Sequence, residues 1–365
     1  MIRAVLVDDE PPARVRMRQL LEAAGDVTVV GEAGSALEAR AVVRDTRPDL
    51  LFLDVEMPEM RGTALAASLP EPRPYIVFAT AFESYALEAI AVDATDYLLK
   101  PVSRAKLHAT LERVRTRLNR QSHLEREVKA ASAEQAQMWP GALPAIPGFD
   151  CAAASLPARG VGGDFYDAFD IAESRWGLLL GDVSGKGMAA GLVASAVQAR
   201  VHTAARLARL GPEQLMAAVD RDVYDTTGAA RYATAIYATL DTDTRTVVLV
   251  NAGHPAVLVL DPEADSVTRI DSTGPALGLL QEGAFSSATL TLKPGAVLVA
   301  YTDGVNEARD DEDNEFGEHR LTSLLFTSRQ LLAADLCARI LDAVRRHRGA
   351  RQDQDDVTAL VVKAT

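Results

Sequence analysis

The first third of the chain alternates short apolar runs with amphipathic stretches. "AVLV", "VTVVGEA", "DLLFLDV", "YIVFATA" and "DYLLKPV" have strand length, while "PPARVRMRQLLEAAG" and "SALEARAVVRDT" between them carry helical periodicity. Strands apolar on both faces and joined by helices predict a parallel, doubly wound α/β sheet over residues 1–117. Over residues 111–138 the strand signal gives way to a mixed-sign charge run. There Val114, Leu118, Gln121, Leu124, Val128, Ala131, Gln135 and Met138 recur at steps of three and four. That spacing is one stripe of a long helix, either a solvated linker or a dimerising seam. "WPGALPAIPG" ends it with three prolines.

Beyond the prolines the rhythm changes. "RWGLLLGDVS", "YATAIYATLD", "TRTVVLVNAG", "AVLVLD", "SSATLTL", "AVLVAYTDG" and "VTALVVK" follow one another across short turns, as antiparallel ribbons do. Two helical stretches interrupt them: residues 188–210, continued by "PEQLMAAVDRDVY", and residues 328–347.

At 365 residues the chain exceeds one typical core, so two domains are expected. A hydrophobic fraction of 48% and a charged fraction of 24% are those of a soluble globular protein. The net charge of −13 argues against nucleic acid as a partner, because phosphate backbones are held by basic surface. Cys151 and Cys337 lack metal-ligand spacing and read as idle thiols of a reducing compartment. "MIRAVLVDDE" lacks the shape of a signal peptide, and no 18-residue stretch is apolar and free of charge. A cytoplasmic protein without a membrane partner is expected.

Ligands of open α/β sheets gather at the carboxyl ends of the strands. Asp8 and Asp9 end the first strand, Asp54 the third, Thr80 the fourth and Lys100 the fifth. Carboxylates so gathered repel one another, and a hard divalent cation such as Mg²⁺ relieves them. With Lys100 it would neutralise a transferring phosphoryl group and leave Asp54 to attack phosphorus. "VLVDDE", "LLFLDVEMP", "FATA" and "DYLLKPV", in this order, resemble the flavodoxin-like (βα)5 receiver domain of bacterial response regulators. The resemblance implies that Asp54 is the phosphoacceptor for a cognate histidine kinase. It further implies that Asp9, Asp54 and the Glu56 carbonyl hold Mg²⁺, with Asp8 acting through water. Thr80 and Tyr97 match the pair that moves on phosphorylation, and the Lys100–Pro101 bond is cis in that family.

"GDVSGKG", residues 181–187, poses a separate question. A nucleotide-phosphate loop needs G-x-x-x-x-G-K-[ST], but here Leu180 stands at the first glycine and Gly187 at the hydroxyl. The carboxylate Asp182 therefore carries more weight than the glycines. Asp164 in "VGGDFYD", Asp303 in "AVLVAYTDG", and Asp355 with Asp356 in "QDDVTALVV" are further acids abutting strands or glycines. Such acids need a cation or a basic partner, and without a histidine–cysteine set Mg²⁺ or Mn²⁺ is favoured over zinc. Carboxylates scattered over distant strands suit a two-metal centre that activates water for in-line attack on phosphorus.

"IPGFDCAAASLPARGVGGDFYDAF", "GDVSGKGMAAGL", "RYATAIYATLD", "NAGHPAVL", "GPALGL", "YTDGVNEARD" and "DDVTALVV" resemble the SpoIIE/RsbU branch of the PPM, or type 2C, serine/threonine phosphatases. The resemblance runs from residue 138 to the end and implies an α-β-β-α sandwich. By matching motifs Asp182 would bridge two Mn²⁺ or Mg²⁺ ions, aided by the Val183 carbonyl. Asp303 and Asp355 would complete the centre, with Asp164 acting largely through water. Residues 1–117 would then be the receiver, 118–137 a helical linker and 138–365 the phosphatase domain.

The implied substrate is a phosphorylated STAS-domain anti-sigma-factor antagonist, with a homodimer through the linker helix compatible with the stripe. Ser184 stands where eukaryotic relatives place a histidine. His254 is either the general acid or a turn-tying residue, Lys186 faces either substrate phosphate or solvent, and Arg159 and Arg231 are candidates to grip phosphate. The alternative is a catalytically idle phosphatase-like adaptor that binds a sigma-factor regulator under receiver control. Erosion of the metal aspartates would mark that alternative, and all four stand.

Overall fold

The computed structural model describes all residues except 82–93, 159, 209, 229, 265, 350 and 352–354. It divides into two compact units, Met1–Glu125 and Arg126–Thr365.

In the first unit five strands, β1 (Ile2–Val7), β2 (Val27–Ala33), β3 (Leu50–Leu53), β4 (Tyr75–Thr80) and β5 (Asp96–Leu99), form a wholly parallel sheet in the order β2-β1-β3-β4-β5. Alternate residues of these strands feed two separate cores. Val5, Val7, Leu51, Leu53 and Phe78 face one side, while Leu6, Leu50, Phe52, Val77 and Leu98 face the other. Burial on both faces is why the strands read as unbroken apolar runs. Helix α1 (Pro11–Ala24) opens on a proline and closes on Gly25 at φ 82°, where a side chain would be strained. Helix α2 (Ala36–Thr46) is capped by Ser35, whose hydroxyl accepts the Glu38 amide. Helix α3 (Gly62–Ser68) completes the described helices of the sheet.

Helix α4 (Arg104–Met138) begins in the first unit and ends in the second. Its stripe is consumed from within the chain at both ends. Val114 is fully buried in the first unit, Leu118 packs beside it, and the Gln121 amide oxygen accepts the Tyr75 hydroxyl at 3.0 Å. In the second unit Gln135 is buried, while Leu124 between the two regions is exposed. A polar member of the stripe thus serves as an internal fastener.

The second unit contains two antiparallel five-stranded sheets. One has the order β13-β10-β9-β8-β7 and the other β12-β11-β14-β15-β6. Their strands are β6 (Phe149–Leu156), β7 (Phe165–Ala172), β8 (Arg175–Val183), β9 (Ala233–Asp241), β10 (Thr246–Ala252), β11 (Val257–Asp261), β12 (Ser266–Ile270), β13 (Ala288–Thr291), β14 (Val297–Tyr301) and β15 (Val357–Ala364). Three cores stack between four layers. Leu178, Leu180, Ile236, Leu298 and Leu360 fill the space between the sheets. Leu179, Val183 and Tyr237 pack outward with residues of α5 (Met188–Leu207) and α6 (Pro212–Thr227). Val299, Tyr301 and Val361 pack outward with α8 (Gly317–Ser328) and α9 (Ala333–Arg348). The short α7 (Asp303–Asn306) follows β14.

This is the expected α-β-β-α sandwich, with three strands and one full helix added to the expected elements. The helix expected over 328–347 begins at Ala333, because residues up to Ser328 belong to α8.

Candidate metal and phosphoryl sites

At the carboxyl rim of the parallel sheet, Asp8, Asp9 and Asp54 bring carboxylate oxygens within 4.8 Å of one another. Lys100 Nζ lies 2.6 Å from Asp8 Oδ2 and 2.5 Å from Asp54 Oδ2. Burial pushes the Asp54 carboxyl above its usual range, against the pull of Lys100. Burial alone would lower the Lys100 pKa, but hydrogen bonds to Asp54 and Asp8 outweigh it and hold it above its ordinary value. The Glu56 amide donates to Asp54 Oδ1 at 3.3 Å. Thr80 is buried at the end of β4, and its carbonyl accepts the Lys100 amide at 2.8 Å. Tyr97 lies on β5 with the Lys106 ammonium 5.9 Å from its ring centroid. The Lys100–Pro101 peptide is cis. An all-oxygen donor set with one lysine fits a hard cation and a transferring phosphoryl group.

In the second unit the four singled-out acids come from four strand ends. Pairing of Phe165 with Gly181 sets Asp164, just before β7, opposite Asp182 in β8. Pairing of Tyr301 with Ala359 brings the end of β14, followed by Asp303, beside the start of β15, preceded by Asp355. Asp164 links the two sheets: its Oδ2 accepts the Thr302 hydroxyl at 2.9 Å and the Thr358 hydroxyl at 2.5 Å.

Burial raises the Asp182 carboxyl to about 7, reinforced by the charges of Asp303, Asp355 and Asp356. Burial, then Asp355 and Glu307, raises Asp303 to about 6. Asp164 is pushed well above the carboxylate range by burial and then by Asp182. These acids stand farther apart than the first cluster, which among the described residues is the set gathered within 4.8 Å.

The residues present fit divalent cations. A Cβ on Gly163 would stand 2.8 Å from Asp182 Oδ1 and 2.9 Å from the Val183 carbonyl, so glycine keeps a carboxylate and a carbonyl accessible side by side. Asp356 has a different task. Its carboxylate accepts the amides of Ala158 at 2.7 Å and Gly163 at 2.9 Å, which fixes the loop carrying Asp164. Asp355 is half-exposed and faces Lys186 Nζ at 3.1 Å, so Lys186 belongs to the acid cluster.

The remaining candidates sort by their contacts. His254 is buried, its amide donates to Asn251 Oδ1 at 2.8 Å, and Nδ1 lies 2.7 Å from the Thr234 hydroxyl. Burial drops its pKa to about 3, so it is neutral at physiological pH and ties a turn. The Ser184 amide donates to the Tyr232 carbonyl at 2.9 Å and its hydroxyl accepts the Tyr232 amide at 3.1 Å, a structural use. Arg231 Nη1 donates to the Ser184 carbonyl at 2.9 Å, and Arg159 lies outside the described residues.

Sequence reasoning passed over Thr302 and Thr358, which stand inside "YTDG" and "DDVT" but read as β-branched strand formers. It also missed Gln135. The Gln135 amide accepts the Gly162 amide at 3.1 Å and donates to the Gly162 carbonyl at 3.0 Å and the Gly191 carbonyl at 3.4 Å. The last turn of α4 is thereby fastened to the loop before Asp164 and to the first turn of α5.

A family model described as Stage II sporulation protein E (SpoIIE) matches residues 172–365, more than half of the chain. The chain belongs to the SpoIIE family. A second model, the response regulator receiver domain, matches residues 4–112 of this SpoIIE-family chain. Curated relatives include the transcriptional regulatory protein BtsR of Salmonella typhi, 48% identical over 122 residues, covering 33% of this chain and 51% of the relative. BtsR of Escherichia coli is 47% identical over the same length and coverage. The chain spans about half the length of these relatives. Among solved structures, the RsbU and RsbW domains of a Mycobacterium tuberculosis protein share 28% identity at a TM-score of 0.55, covering 62% of this chain and 64% of that one. The SiaA-PP2C domain of Pseudomonas aeruginosa shares the fold at 19% identity and a TM-score of 0.58, covering 67% and 98%. This SpoIIE-family chain is therefore a receiver domain followed by a PP2C-type phosphatase domain. Among the described residues no helix is long and apolar enough to cross a membrane.

Proposed function

We propose that the chain is a response regulator whose output is metal-dependent removal of phosphate from phosphoserine or phosphothreonine on a protein. The observation that carries this reading is that strand pairing brings Asp164, Asp303 and Asp355 from three other strand ends toward Asp182, whose carboxyl is raised by burial first and then by the charges of Asp303, Asp355 and Asp356. Asp182, Asp303, Asp355 and the Val183 carbonyl would hold two Mn²⁺ or Mg²⁺ ions, with Asp164 behind them. When bound, such a pair supplies Lewis-acid activation of water and neutralises charge on the phosphoryl oxygens. The chain's own residues supply the rest. Thr302 and Thr358 hold Asp164 in place, Asp356 fixes the loop above it, and Lys186 brings a positive charge beside Asp355.

Control would begin at Asp54, phosphorylated by a histidine kinase, with Asp8, Asp9 and Glu56 on Mg²⁺, Lys100 on the phosphoryl group, and Thr80 and Tyr97 responding. Gln135 offers the route of action, since α4 is bonded both to the Gly162 loop and to α5. A homodimer through α4 would use exposed Leu124. The substrate would be a phosphorylated STAS-domain anti-sigma-factor antagonist. The adaptor alternative is disfavoured because Asp164, Asp182, Asp303 and Asp355 are all retained in the sequence.

The test is phosphate release from such a phosphoprotein by the full chain with Mn²⁺, with and without beryllofluoride to mimic phosphorylated Asp54. Beryllofluoride is expected to raise release about five- to hundredfold, the range of ordinary allosteric coupling. Release that ignores beryllofluoride would remove receiver control, and no release in either state would favour the adaptor.

A further inference from the structure

Helix α9 ends in the basic run Arg345, Arg346, His347 and Arg348. Cations at a helix C-terminus are favourable when solvated, which accounts for a basic last turn. It does not account for Arg348, which is 3% exposed and continues the apolar stripe of Leu336, Ile340, Leu341 and Val344. Burying a guanidinium is costly unless its donors are used.

Two of them are. Arg348 Nη1 donates to the Asp355 carbonyl at 2.9 Å, and Nη2 donates to the Gly304 carbonyl at 2.9 Å. Nε is buried without a hydrogen-bond partner among the described residues. Asp355 and Asp303, which precedes Gly304, are two acids of the proposed metal centre. Both line, with Arg348, a cleft of about 470 Å³. The segments they stand on meet closely: a Cβ on Gly304 would lie 1.8 Å from the Asp356 carbonyl oxygen.

We infer that Arg348 is a positioning residue whose planar fork, spanning the Gly304 and Asp355 carbonyls, sets the separation of Asp303 and Asp355 for paired divalent ions. The inference rests on the metal-dependent reading of the site. Arginine suits the task because its donors are fixed in one rigid plane, whereas lysine offers a single freely rotating ammonium. The positive charge also lies among Asp164, Asp355 and Asp356 and offsets their repulsion.

The test is calorimetric titration of Mn²⁺ into the metal-free full chain, comparing wild type, Arg348→Lys and Arg348→Met, each checked by thermal melting in EDTA. Both variants are expected to bind Mn²⁺ about 10- to 100-fold more weakly, the usual loss when a residue that orients metal ligands is removed. Arg348→Lys keeps the charge and is expected not to rescue, because the fork is what it lacks. In phosphatase assays the Mn²⁺ concentration for half-activation should rise while KM for the phosphoprotein stays unchanged. Wild-type Mn²⁺ affinity in a folded Arg348→Lys protein would overturn the inference while leaving the metal reading intact. A wild-type protein that takes up no more Mn²⁺ than the Asp182→Asn protein, in which the Asp8–Asp9–Asp54 cluster is intact, would overturn both. If Arg348→Met fails to fold, the lysine variant decides.

Discussion

Asp182→Asn is expected to lower phosphate release roughly a thousandfold or more while leaving the first unit able to accept a phosphoryl group. Asparagine keeps the size and polarity of the side chain but removes the carboxylate that feels the charges of Asp303, Asp355 and Asp356. The change lies in β8 of the second unit, and Asp8, Asp54 and Lys100 are untouched. Labelling of Asp54 by a small phosphodonor should therefore proceed as in wild type, whereas Asp54→Asn should abolish labelling. Asp182→Asn protein that releases phosphate at the wild-type rate would contradict the assignment.

Metal-free protein should lose stability as pH rises from 5 to 7.5. A folded-state pKa of about 7 for Asp182 lies above its ordinary value of 3.8, and Asp303 is raised to about 6. Between the unfolded and folded values the native state holds protons that the unfolded chain has released. Stability from this source is full below about pH 4 and is lost as pH climbs through the folded value. For Asp182 alone the loss over pH 5 to 7.5 is about 2–3 kcal/mol, or roughly 5–10 °C in melting temperature. Melting in EDTA across that range measures it directly. Mn²⁺ at pH 7.5 should restore the loss, and Asp182→Asn should flatten the profile. Wild-type stability that rises with pH in EDTA would show that the acids are not crowded together in solution.

Much of this arrangement was legible because it rests on local rules. Strands of the parallel sheet are buried on both faces, so "DLLFLDV" and "YIVFATA" could hardly be anything else, and a polar residue at the end of each marks the functional rim. The central strands of the second unit are legible for the same reason, since a sheet lies on one side and helices on the other. The strands that escaped, β6, β7 and β12, are all sheet edges. Edge position removes a neighbour, and with it the demand for apolar runs: "FDCAAASL" is half-buried small residues, "FYDAFDIA" is broken by aspartates, and "SVTRI" is largely exposed.

Within the site, Asp182 and Asp303 were legible as charge set against apolar strands. Arg348 and Gln135 were not. One looks like part of a basic helix end and the other like a polar position in the helix stripe, and only tertiary packing turns each inward onto backbone carbonyls. Asp356 was visible beside Asp355, but nothing local separates the acid that caps a loop from the one that faces Lys186.

On the proposed reading, acids far apart in the second half of the chain form one centre for paired divalent ions. Anomalous diffraction from crystals soaked in Mn²⁺ tests it most directly. Two peaks are expected beside Asp182, with Asp303, Asp355 and the Val183 carbonyl around them. No manganese at that position, with these side chains turned into solvent, would contradict it.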